Sequence, residues 1–157
     1  MATKDEILGC INKLDSHYYK LILLVGKTGS GKTRMLKALA AATDGAVADL
    51  NVELSKMLKN LPKMERCHYV QDFLDVVLRQ SSGQPLFLDN TEILFSSHLK
   101  VDPIGMLKNA SRYQPLVVTI NGVIDNNKLT YAEPNHPDFI VYKVSELGCR
   151  YYSFRGE

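Results

Sequence analysis

The sequence predicts an α/β domain in which a parallel sheet is covered by helices on both faces. Three observations carry that expectation. Short aliphatic runs recur at Leu21–Val25, Leu86–Leu88 and Leu116–Ile120, and runs this apolar suit strands buried on both sides. Between them lie stretches with apolar residues at helical spacing, so strand and helix alternate as parallel pairing requires. The chain has 157 residues, 45% of them hydrophobic, which suffices for one compact domain without a disulfide or metal staple.

Element by element, Thr3-x-x-Glu6 is a capping box ahead of Ile7, Leu8, Ile11 and Leu14, and predicts an amphipathic helix over 4–15. Lys20–Val25, closed by Gly26, is the first buried strand. A helix then starts near Gly31, buries Met35, Leu36 and Leu39, and stops at Asp44-Gly45, with Gly45 as the left-handed residue. Ala46–Leu50 is a weaker, small-residue strand. Leu54, Met57, Leu58 and Leu61 mark a helical stripe ended by Pro62, and Val70, Phe73, Leu74, Val77 and Leu78 mark another. Ser81–Pro85 reads as a loop before the strand that ends at Asp89. Asp102-Pro103 pairs an N-cap with proline at the first helical position, for a helix to about Tyr113. The Leu116 strand ends at Asn121-Gly122, and Val123–Tyr131 forms a hairpin about Asp125-Asn126-Asn127. Phe139–Val144 is expected as the last strand of a single sheet. The expected organisation is one domain over 1–157: an N-terminal helix at 4–15, a core at 20–144 and a short tail at 145–157.

Composition excludes several classes. No apolar run approaches the ~20 residues of a membrane span, and with Lys4, Asp5 and Glu6 and no apolar h-region no secretory signal is expected. Cys10, Cys67 and Cys149 are widely spaced, as fits reduced thiols in the cytoplasm rather than a disulfide frame or zinc site. A net charge of +2 points neither toward nor away from nucleic acid. Lys56, Lys59, Lys63 and Arg66 form a basic stretch, but Glu53 and Glu65 beside it favour a solvated helix face.

One motif carries chemistry. Gly26-Lys27-Thr28-Gly29-Ser30-Gly31-Lys32-Thr33 matches G-x-x-x-x-G-K-[ST] in full, after a buried strand and before a helix. Gly29 and Gly31 let the backbone curl so that N–H groups converge on phosphate oxygens, with the helix N-terminus behind them. Lys32 supplies charge to the β- and γ-phosphates, and Thr33 offers a hydroxyl to Mg²⁺. Gly26, Thr28, Ser30 and Arg34 complete the stretch expected to touch ATP. Pro85–Asp89 is an apolar run ending in an acid, the Walker B pattern, which assigns Asp89 to the metal; outside this context such an Asp is a turn or cap residue. Asn121, at the tip of the next strand, is placed to orient water or touch the γ-phosphate, or else opens an Asn-Gly turn. This arrangement matches the additional-strand division of phosphate-loop ATPases. By analogy with that division the fold is a three-layer α/β/α core of AAA+ type with sheet order 5-1-4-3-2, here without a helical lid.

Hydrolysis needs a carboxylate to polarise water. Many ATPases of this division carry it directly after the Walker B Asp, where this chain has Asn90, an amide that positions water without taking its proton. Glu92 is the first candidate for a displaced base and Glu53 the second; a solvated surface acid is the other reading of each. Between Gly122 and Asp138 there is no Arg, so Arg112, Arg150 and Arg155 are the candidates for a trans-acting cation, or are surface residues. Tyr18-Tyr19, before the first strand, either brings Tyr19 to adenine or packs at a helix end.

Beyond the nucleotide motifs, the chain resembles BrxF, the small phosphate-loop protein of type 3 BREX phage-exclusion systems. The likeness lies in Leu23-Leu24-Val25-Gly26, Leu50–Ser55, Leu88–Phe95, Leu99–Pro103, Leu129–Pro134 and His136-Pro137. The resemblance implies a cytoplasmic ATPase that uses ATP and Mg²⁺ in phage defence. It implies other BREX proteins as partners, in a homo-oligomer or hetero-complex, with DNA contacted directly or through them and no membrane. The expected function is an ATP-binding, slowly hydrolysing module whose nucleotide state controls conformation or assembly. Two alternatives stand beside it: a nucleotide-locked scaffold and a small-molecule kinase.

Overall fold

The computed structural model describes residues 2–79 and 84–155; of the expected 81–85 loop, 81–83 lie outside them. The chain opens with α1 (Lys4–Asn12), whose cap residue Thr3 accepts from the Glu6 N–H at 3.2 Å, and a turn of 3₁₀ helix at Leu14–Ser16. There follow β1 (Leu21–Gly26), α2 (Lys32–Thr43), β2 (Ala46–Asp49), α3 (Leu50–Leu58) and α4 (Arg66–Leu78). Next come β3 (Leu86–Asp89), two 3₁₀ turns over Glu92–Leu99, α5 (Pro103–Ser111) and β4 (Leu116–Asn121). The chain then runs through β5 (Val123–Asp125), β6 (Lys128–Tyr131), β7 (Ile140–Lys143) and β8 (Arg150–Phe154).

Five strands form a parallel sheet in the order β2-β3-β4-β1-β8. Side chains alternate across it. Leu21, Leu23, Val25, Leu86, Leu88, Leu116 and Val118 face α3, α4 and α5, while Ile22, Leu24, Phe87, Val117 and Phe154 face α1 and α2. The two apolar layers make β1 buried along its whole length, which is why its sequence shows no alternation.

Three expectations need correction. The described residues form two sheets, not one: β5, β6 and β7 make a separate antiparallel sheet. The expected last strand belongs to it, with Ile140 paired to Tyr131 and Lys143 to Lys128. Its burial alternates between half-buried and exposed, as suits a sheet with one solvated face. The strand beside β1 is instead β8, inside the stretch expected as a tail, so the core extends past 144. Its residues Arg150–Phe154 carry a polar, tyrosine-rich pattern that an outer strand tolerates and a search for aliphatic runs passes over.

At the end of α2, Asp44 (φ 54°) and not Gly45 is left-handed. Gly45 is required for space: a Cβ there would stand 2.8 Å from Cδ1 of Phe87 and 2.9 Å from the Pro85 carbonyl. The β5–β6 turn is as the sequence suggests, with Asn126 (φ 50°) and Asn127 (φ 61°) both left-handed as a type I′ turn demands.

Candidate nucleotide-binding site

The loop between β1 and α2 crosses the C-terminal edge of the sheet. Gly29 (φ 84°) and Gly31 (φ 97°) hold backbone angles that side-chain-bearing residues rarely adopt, and a Cβ on either would meet nothing within 4 Å. Glycine is needed there for conformation, and the space it leaves is open. Gly26 differs: a Cβ there would stand 2.6 Å from the Phe154 carbonyl, so the loop starts pressed against β8. Gly29, Gly31, Lys32, Thr33 and Arg34 line a shallow cavity of about 220 Å³. Gly31 caps α2 without a side-chain acceptor, so the first N–H groups of a 12-residue helix stand uncapped at that cavity. Lys32 is 5% exposed, and its ammonium donates to the Lys27 carbonyl at 3.2 Å. Burial lowers its pKa, outweighing the opposite pull of Glu92 and Asp89.

Strand periodicity brings the acid to the same place. Phe87 and Val117 face α2, so Asp89 and Thr119, two residues further along β3 and β4, point the same way. One oxygen of Asp89, Oδ1, accepts from the Thr119 hydroxyl at 2.7 Å and from the Thr33 hydroxyl at 3.1 Å. A carboxylate and a hydroxyl in contact are hard oxygen donors. They fit Mg²⁺, which keeps most of its shell for phosphate and water. Among the described residues no group of three or more His, Cys, Asp or Glu could hold a metal unaided.

Glu92 lies beside this pair, gripped from two sides. The Asn121 amide donates to Oε1, and the Asn51 amide donates to Oε2 at 3.0 Å. Asn51 is itself fixed: its Oδ1 accepts from the Ile93 N–H at 2.9 Å, and its backbone N–H reaches the Asn90 carbonyl at 3.0 Å. Thr91 anchors the segment with a 2.6 Å hydrogen bond to the Thr119 carbonyl.

The structure thus brings together Gly26–Thr33, Asp89, Glu92 and Asn121, and leaves other expected residues apart. Asn90 is left-handed (φ 53°), and its amide donates to Asp49 at the end of β2, so it ties two strand ends together. Glu53 is half-buried in the first turn of α3 and takes no part in the hydrogen bonds about Glu92. Ser30 turns its hydroxyl under the loop against Gly26, where among the described residues it has no partner. Arg34 is exposed at the cavity rim. Tyr19 is misplaced for adenine: it precedes β1 and sits under the Lys108 ammonium of α5, a six-residue strand of ~20 Å away from the loop. Arg112 and Arg150 share that far end, whereas Arg155 follows β8 at the loop end and lines a cavity of about 320 Å³ with Lys27. Sequence reasoning missed Asn51 and Thr119. Thr119 had a signal, a hydroxyl inside the aliphatic run Leu116–Ile120; Asn51 had none short of the fold.

No family model matches the chain, and no curated protein does. Among solved structures the chain is similar to that of C. elegans PCH-2, with a TM-score of 0.50 and 15% sequence identity. The similarity covers 97% of this chain and 41% of that one, so the chain spans under half of that structure's length. At this identity the likeness concerns the fold alone, an α/β domain with a mainly parallel five-stranded sheet.

Proposed function

We propose that the protein binds ATP with Mg²⁺ and hydrolyses it slowly, as a switch in which the state of the nucleotide sets the position of Glu92. The observation that carries this reading is the convergence of Thr33 and Thr119 on Asp89 beside an open loop built on Gly29 and Gly31. The likeness in fold to an AAA+ ATPase supports it. In this reading the uncapped start of α2 cradles the phosphates, and Lys32 leaves the Lys27 carbonyl to meet the terminal ones. Asp89 and Thr33 would hold the metal, whose chemistry would be to neutralise phosphate charge.

Glu92 is the base and begins in a held position, because both its oxygens accept from amides. A γ-phosphate competes for the Asn121 amide, and release of Oε1 frees a carboxylate oxygen for water. Asn121 continues through Gly122 into β5, so its displacement pulls on the antiparallel sheet. That sheet touches the Glu92 segment again where Tyr131 stacks on Phe95, with centroids 4.1 Å apart, and its β6–β7 connection does so where Asp138 accepts from the Ser97 N–H at 2.8 Å. Nucleotide state is thereby read out as the docking of β5–β7. If the resemblance to BrxF extends to its setting, such a switch works in a cytoplasmic phage-defence complex with other BREX proteins, as homo-oligomer or hetero-complex.

A second reading, a nucleotide-locked scaffold, draws on the same double grip on Glu92. Phosphate release separates them. Under the switch reading Glu92→Gln lowers turnover by about 10²–10⁴-fold, and Asn51→Ala, which frees one oxygen, raises the basal rate. Wild-type protein that binds ATP and turns over no faster than Glu92→Gln would establish the scaffold.

A further inference from the structure

The end of the sheet remote from the loop carries a cluster of rings and cations with no part in nucleotide chemistry. Tyr18 and Tyr19, just before β1, meet edge to face with centroids 4.7 Å apart. Arg112, following α5, places its guanidinium 4.9 Å from the Tyr18 ring centroid and 5.4 Å from that of Tyr113. The Lys108 ammonium stands 4.8 Å from the Tyr19 centroid. Lys20 binds the two segments together, its ammonium donating to the Arg112 carbonyl at 3.2 Å. Six residues thus combine three rings with three cations, and none is an acid.

Two features set this cluster apart from ordinary surface. Tyr113 is 82% exposed and Tyr18 63% exposed, so neither ring is there to fill a core. Both lie against one guanidinium, a flat cation that stacks on aromatic faces while keeping its charge available to an anion. Exposed rings spaced by cations match the chemistry of an unpaired polynucleotide, which offers a base face and a phosphate at each step. A duplex hides its base faces, so the rings favour single strands. The neighbouring Gln114, an amide suited to base edges, donates instead to the Gln84 carbonyl at 2.6 Å. The basic stretch Lys56–Arg66 makes a poorer surface, since Glu65 interrupts it and the Arg66 Nε donates to the Leu61 carbonyl at 3.2 Å.

We infer that this end of the molecule binds single-stranded nucleic acid without strong sequence preference. Bases stack on Tyr18 and Tyr113, and Arg112, Lys20 and Lys108 meet the phosphates. The site lies about a strand length from the phosphate loop, so it stands or falls independently of ATP binding.

Fluorescence anisotropy with a labelled oligothymidylate and a duplex of equal length tests it. The single strand binds more tightly than the duplex. Tyr18→Ala and Tyr113→Ala each weaken it by about 5- to 150-fold, the loss of one stacked base. Arg112→Gln reduces the slope of log affinity on log salt by about 0.7, one single-strand phosphate contact. Because the chain has no Trp, Tyr113→Trp installs a lone reporter that preserves stacking; it retains affinity and is quenched as oligonucleotide is added. Circular dichroism confirms that each variant is folded. Absence of oligothymidylate binding by the folded wild-type protein, preference for duplex, or equal affinity in the alanine variants would each overturn the inference.

Discussion

Lys32 is the residue whose environment most constrains the chemistry. Burial in the loop lowers its pKa, yet phosphate binding requires its charged form. An incoming anion therefore raises that pKa again, and nucleotide binding takes up a proton at alkaline pH. Affinity should fall as pH rises through the lowered pKa, before the ordinary Lys value of 10.5 is reached. Calorimetry in buffers of different ionisation enthalpy would measure the uptake; affinity independent of pH up to that value would contradict the lowered pKa. The motif made this lysine, Thr33 and the two left-handed glycines legible from the sequence, because backbone conformation and residue type are linked locally there. Asn51 was not legible. Its role depends on α3 starting directly at the end of β2, which brings its amide across to Glu92, 41 residues away in the chain. Asn90, expected as an amide able to position water, has a left-handed backbone and donates to Asp49, which its proximity in sequence to Asp89 does not reveal.

At the scale of elements, close approach replaces conformation as the constraint. Gly45→Ala places a methyl group against the Phe87 ring and the Pro85 carbonyl, and an overpacked contact of this kind should cost about 1–3 kcal/mol by urea denaturation. The antiparallel sheet is held to α5 by Tyr142, whose hydroxyl donates to the cap residue Asp102 at 2.6 Å. Burial and that bond push the tyrosine pKa up, so the contact persists across the neutral range. Tyr142→Phe should lose about 1 kcal/mol and loosen β5–β7, seen as faster amide exchange in β7 with β1 unchanged. Helices and inner strands could be read from periodicity because each buries a full apolar face. The outer strand β8 could not: Arg150, Tyr151 and Tyr152 satisfy an edge with one partner, and their pattern matches no buried-strand template.

For the molecule as a whole, the consequence is that Arg150–Phe154 belong to the core sheet. β8 pairs with β1 along Ile22–Gly26, and Phe154 is buried with Leu24 and Leu36 on the α1–α2 side. A chain ended at Gly148 should lose its cooperative unfolding transition, whereas a dispensable tail would leave it intact. The same strand places Phe154 against Gly26, so the phosphate loop is supported from β8 on one side while Asp89 and Asn121 flank it on the other. With that support the loop offers an open anion cradle suited to a nucleotide and its metal. Isothermal titration calorimetry of the folded protein with ATP, with and without Mg²⁺, tests it most directly. Binding of this kind gives saturable heat that strengthens with Mg²⁺ and is lost in Lys32→Ala. No heat from the wild-type protein, or equal binding by Lys32→Ala, would contradict it.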